Sequence, residues 1–136
     1  MTLSLSLIEI SPIEDTKNEV ELKISAEVTW NETRASYLNL KLNPEDNILK
    51  TDEKAKLWIP KLAFENSKDK YDTGNHLSET KLLILRQGEP EIRNDGKANN
   101  RFYRGDENPI VLALTTTLNI RCDKNYNAFP FDKQVL

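Results

Sequence analysis

The 136-residue sequence contains one cysteine, Cys122, and one histidine, His76. A single thiol has no disulfide partner within the chain, and one Cys with one distant His falls short of a structural zinc site. His76 lies in the polar stretch D-T-G-N-H-L-S-E-T, with no assembled serine or cysteine triad around it, so triad chemistry has no support. The four glycines, Gly74, Gly88, Gly96 and Gly105, are isolated, which excludes a glycine-rich phosphate loop. No run approaches the roughly 18 apolar residues of a membrane span. Nineteen Lys and Arg against 22 Asp and Glu leave a net charge of -3, and no basic footprint for nucleic acid. No cofactor, metal site, nucleic-acid partner or enzymatic activity is expected.

What is present is alternation. Val20, Leu22, Ile24, Ala26, Val28 and Trp30 alternate with Glu21, Lys23, Ser25, Glu27 and Thr29. That period of two predicts a long strand with one face on a core and the other on solvent or a partner. Ile110, Leu112, Leu114, Leu118 and Ile120 repeat the pattern against Ala113, Thr115, Thr117 and Asn119, with Thr116 the polar exception in the apolar register. Leu3, Leu5 and Leu7 with Ser4 and Ser6 read as a strand rather than a signal peptide, because no basic segment or cleavage site accompanies them. Shorter strands are expected at 37–42, 57–59 and 81–85, with a helical turn near 44–50. Residues 87–108 read as a long hairpin tip or surface loop. Turn residues at Ser11-Pro12, Asn43-Pro44, Asp95-Gly96, Gly105-Asp106 and Asn108-Pro109 separate these runs. Short strands punctuated by turns predict an all-β sandwich. Trp30 and Trp58 both fall in apolar strand registers, which favours core packing.

Four segments carry a resemblance. Residues 30–37, W-N-E-T-R-A-S-Y, are similar to the W-x-D-x-R-L-x-Y/W stretch of pentameric ligand-gated ion channels, with Glu32 for Asp and Ala35 for Leu. Residues 57–66, L-W-I-P-K-L-A-F-E-N, resemble that family's W-x-P-D-x-x-F-x-N run, with Lys61 at the acidic position. The 110–120 strand resembles the family's loop E strand. Residues 122–136, C-D-K-N-Y-N-A-F-P-F-D-K-Q-V-L, keep the Cys-loop spacing and its aromatic-Pro-aromatic-Asp-x-Gln centre, but Leu136 stands in place of the second cysteine. Prokaryotic members lack the bridge, and the resemblance points towards that type. Glycine- and GABA-receptor-like animal subunits are the other relatives it allows.

The resemblance implies an immunoglobulin-like β-sandwich, the neurotransmitter-gated channel ligand-binding domain. It implies that 1–136 is one partial domain, incomplete at its C-terminus and ending at the Cys-loop region. The implied partners are a small-molecule agonist, identical or homologous subunits in a pentamer, and a transmembrane domain outside this chain. The implied location is the plasma membrane, with this domain on the extracellular or periplasmic side. A soluble β-sandwich binding protein is the rival reading.

By motif position, Phe64, Glu65 and Asn66 correspond to binding loop A, Ser25 and Glu27 to loop D, and Ala113, Thr115 and Thr117 to loop E. Ser25 stands where amine receptors carry an aromatic ring, so negative charge on Glu27 and Glu65 would have to attract a cation. The alternative for these residues is a solvated strand face. Phe129, Pro130, Phe131, Asp132 and Gln134 correspond to the loop that presses on the membrane-side gating machinery. The apolar wedge Phe129-Pro130-Phe131 has reason to be covered by something. Arg34 would need a carboxylate such as Glu32 or Asp132 if buried. Asn31-Glu32-Thr33 is a formal glycosylation sequon at a strand end.

Overall fold

The computed structural model describes residues 1–12, 18–65, 80–93, 96 and 99–121. Among these residues six strands form two sheets. β1 (Thr2–Ile10), β2 (Glu19–Trp30), β6 (Ile110–Arg121) and β4 (Lys81–Ile84) make a four-stranded antiparallel sheet in the order β1-β2-β6-β4. β3 (Ser36–Leu38) and β5 (Phe102–Arg104) make a second, two-stranded sheet. The architecture is the all-β sandwich that the alternation predicts.

The two long alternating runs become β2 and β6, paired without a break from Glu19–Arg121 to Trp30–Ile110. Because a strand's side chains alternate faces, this register lines the apolar residues up in rows. One row is Leu3–Val28–Leu112–Leu82, and the next is Leu5–Ala26–Leu114. A third, Trp30–Ile110–Ile84, closes one end of the sheet. Tyr37, Leu40 and Tyr103 cover these rows from the second sheet's side, so Leu82, Ile110 and Leu112 are fully buried. Each such side chain contributes roughly 1.5–3 kcal/mol.

The edge strand β1 differs from expectation, since its whole length is exposed. Leu3, Leu5 and Leu7 remain 52–57% accessible because the Tyr37–Leu40–Tyr103 cover sits over the rows of β2, β6 and β4. A bulge between Leu7 and Glu9 inserts Ile8 and returns Ile10 to the apolar register opposite Leu22. One extra residue reverses the parity of the strand.

Three further segments differ from the sequence reading. The expected 37–42 strand ends at Leu38, because Asn39 turns the chain at φ 51, a left-handed conformation that asparagine tolerates. The Asn39 side chain accepts from the Arg101 amide at 2.8 Å and fixes that turn. Residues 57–59 are not a strand. Leu57 and Ile59 pack against the core, which turns the intervening Trp58 outward and leaves it 61% exposed. The 87–108 segment is more than a loop: it holds β5, and Glu91 bridges to Phe102.

The expected helical turn is a 3-10 turn at Pro44–Asn47, followed by a short helix, α1 (Thr51–Lys54). Pro44 begins the turn, where its missing N–H costs nothing, and Asn43 caps it by accepting from the Glu45 amide at 3.2 Å. Asn47 ties the turn to the sheet by donating to the Ile84 carbonyl at 3.0 Å. Arg34 is exposed and needs no buried partner, while the Glu32 carboxylate accepts from its backbone amide at 3.3 Å.

Candidate functional site

The β2–β6 register fixes how the residues expected at loops D and E lie relative to one another. Ser25 is directly opposite Thr115, Glu27 opposite Ala113, and Lys23 opposite Thr117. All six therefore share the face turned away from the core. Ser25 and Ala113 are half-buried, while Glu27, Thr115 and Thr117 are exposed. Neighbouring strands extend the patch: Ser4 lies opposite Glu27, Ser6 opposite Ser25, and Lys81 opposite Ala113. The result is a plane of hydroxyls with a carboxylate on one side of Ala113 and an ammonium on the other. At about 4.8 Å per strand, the Glu27 and Lys81 backbones stand about 10 Å apart. Lys81 pairs with Glu45, whereas the Glu27 side chain forms no ion pair or hydrogen bond among the described residues.

The sequence reading missed Lys81, Ser4 and Ser6. Their alternation was visible, but only the pairing register sets them beside Ala113, Glu27 and Ser25. Phe64 is half-buried and Glu65 is exposed, just beyond the Leu57–Ile59 packing. Asn66 and Phe129, Pro130, Phe131, Asp132 and Gln134 lie outside the described residues, as do His76, Cys122 and Leu136. Among the described residues no group of three His, Cys, Asp or Glu could hold a metal ion. No described helix is long and apolar enough to cross a membrane.

At the Trp30 end of the sheet, the 31–35 turn is fastened to the turn after β5. The Gly105 amide donates to the Ala35 carbonyl at 2.9 Å, and Asn31 Nδ2 donates to the Asp106 carbonyl at 3.2 Å. Gly105 is required there, since a Cβ would stand 1.9 Å from the Glu32 carbonyl oxygen. Behind this corner Tyr37 is buried, and its phenol is pushed up to about 12, first by burial and then by the Glu32 negative charge. Asn108 holds the facing segment. Its Oδ1 accepts from the Gln87 and Gly88 amides at 2.9 and 3.0 Å, and its Nδ2 donates to the Arg104 carbonyl at 2.8 Å.

Between these two corners is an open cleft of about 640 Å3, with Trp30, Glu32, Trp58 and Gln87 among its lining residues. The two indoles meet edge to face, 6.3 Å between centroids and 89° between planes. None of the loop A, D or E candidates lines it.

The chain belongs to the neurotransmitter-gated ion-channel ligand-binding domain family, whose model matches residues 1–135. It is therefore the ligand-binding part of a channel of that class, a family of receptors rather than of enzymes. No curated protein matches the chain.

Proposed function

We propose that this domain senses a small-molecule agonist at the boundary between neighbouring subunits and passes the signal to a pore. The observation that carries the reading is the β2–β6 register, which puts Ser25 against Thr115 and Glu27 against Ala113 on one non-core face. Loop D and loop E residues must share a surface for the complementary side of such a site to exist. Phe64, Glu65 and Asn66 supply the other side from the adjacent subunit. With no aromatic residue at Ser25, the Glu27 carboxylate, which has no partner among the described residues, and the hydroxyls of Ser25, Thr115 and Thr117 carry recognition. The assembly is a pentamer in the plasma membrane, with this domain on its outer or periplasmic side. Phe129, Pro130, Phe131, Asp132 and Gln134 form the contact with the transmembrane part.

The mechanism is a two-state equilibrium biased by the agonist's higher affinity for one state. The test is a pair of measurements on the full-length receptor, agonist binding and agonist-evoked current. Glu27→Gln should weaken binding about tenfold, the effect of one lost charge-assisted contact. Phe131→Ala should leave binding nearly unchanged while shifting the current response about tenfold or more, since a buried Phe contributes roughly 1.5–3 kcal/mol. Equal losses of binding and current in Phe131→Ala would refute its role in transmission. Unchanged binding in Glu27→Gln would refute the site.

A further inference from the structure

Asn31 is the only asparagine of the chain followed two residues later by serine or threonine, with Glu32 rather than proline between. Such a tripeptide accepts N-linked sugar when it lies on the surface of an exported chain. The fold supplies that position. Asn31 comes one residue after the last β2–β6 pair and two after the last β1–β2 pair, so neither ladder engages it. Asn31 and Thr33 are both exposed. The turn that follows is closed by the Ala35 amide donating to the Glu32 carbonyl at 3.0 Å and by the Arg34 amide donating to the Glu32 carboxylate at 3.3 Å. Neither bond uses the Thr33 hydroxyl, the group by which a glycan transferase recognises the tripeptide. An asparagine amide has two N–H donors. One of those on Asn31 donates to the Asp106 carbonyl at 3.2 Å, and the other has no partner among the described residues.

From this exposed, half-used amide we propose that Asn31 carries an N-linked glycan. The inference rests on the exterior location proposed above, because the donor, an oligosaccharide on a polyprenyl diphosphate, serves chains that cross the membrane. Asn31 Nδ2 attacks the anomeric carbon of the first sugar. The C–N bond forms as the C–O bond to the diphosphate breaks, the diphosphate leaves with the bonding pair, and the amide gives up one proton to a base of the transferase. The remaining N–H still serves the Asp106 carbonyl, so the corner between β2 and β5 keeps its clip. Asn31 opens on the cleft of about 640 Å3, which leaves room for the linked sugar. It stands four residues from Glu27, about 13 Å along the strand direction, so the linkage borders the proposed agonist face instead of lying on it.

The test uses the full-length receptor from the membranes of the cells that make it. Trypsin cuts after Lys23 and Arg34, and the peptide 24–34 contains one asparagine, Asn31. Electron-transfer fragmentation of that peptide should place the sugar on Asn31. Thr33→Ala should abolish it, while Thr33→Ser should keep it. Thr33 is exposed, and both variants leave Asn31 and its bond to Asp106 untouched, so both fold as the parent does. In parallel, a membrane-impermeant amine reagent is applied to intact cells, where the exposed Lys50 and Lys56 report which side of the membrane the domain occupies. Labelled lysines with a sugar-free Asn31 peptide would overturn the glycan and leave the exterior location standing. Unlabelled lysines on a receptor with a sugar-free peptide would overturn both. Sugar found on Ser25, Thr29 or Thr33 in place of Asn31, or retained in Thr33→Ala, would also refute the assignment.

Discussion

Replacing Asn108 by alanine removes three hydrogen bonds at a residue with no solvent exposure. The side chain joins two segments far apart in sequence, the Gln87-Gly88 corner and the end of β5. Each bond contributes on the order of 1 kcal/mol net, and a buried group left without a partner costs about 1–3 kcal/mol. The Gln87 amide belongs to an exposed residue and recovers water. The Gly88 amide and the Arg104 carbonyl recover less, so Asn108→Ala should lose about 3 kcal/mol. In a chain of this size that lowers Tm by on the order of 10 °C. Asn108→Asp keeps the acceptor for both amides but turns an oxygen towards the Arg104 carbonyl oxygen, and should not restore stability. Urea unfolding, followed by far-ultraviolet circular dichroism and tryptophan emission, measures the loss. A loss below about 1 kcal/mol would show that water replaces the amide with little strain, and would refute the pinning role.

Gly105→Ala should be at least as damaging, because the new Cβ meets backbone oxygen atoms of Glu32 at 1.9 Å and Ala35 at 3.0 Å, which cannot rotate away. Its unfolding midpoint in urea should fall well below that of the parent, and a wild-type midpoint would contradict the close approach. Alkaline titration tests Tyr37. Its phenol is pushed up to about 12 in the folded state from the ordinary tyrosine value of 10.0, so its contribution is complete below pH 10 and is lost as pH rises towards 12. Tyr37→Phe should flatten that part of the stability profile, measured by urea midpoint against pH, and an unchanged slope would assign the alkaline loss to other groups.

The sequence alone determined the strands that form most of the larger sheet. In β2 and β6 the hydrophobic period is strictly two over most of the run, and no alternative packing buries that stripe. Its W-N-E-T-R, W-I-P and F-P-F-D-K-Q segments were also enough to point to the family. Local patterning failed where neighbours decided the outcome. Trp58 has the composition of a core residue, yet Leu57 and Ile59 take the inward positions and turn it out. Leu3, Leu5 and Leu7 alternate as cleanly as β2, but their strand lies at the sheet edge and away from the cover supplied by the second sheet. The candidate agonist face was half legible. Ser25, Glu27 and the threonines could be named from motif position, but that Ser25 faces Thr115, and that Lys81 flanks Ala113, depends on a register between segments roughly 90 and 30 residues apart. That the buried Trp30 N–H has no acceptor among the described residues was invisible in the sequence. An alternating pattern tells which face a residue takes, but only the packed structure determines whether a donor on that face finds an acceptor.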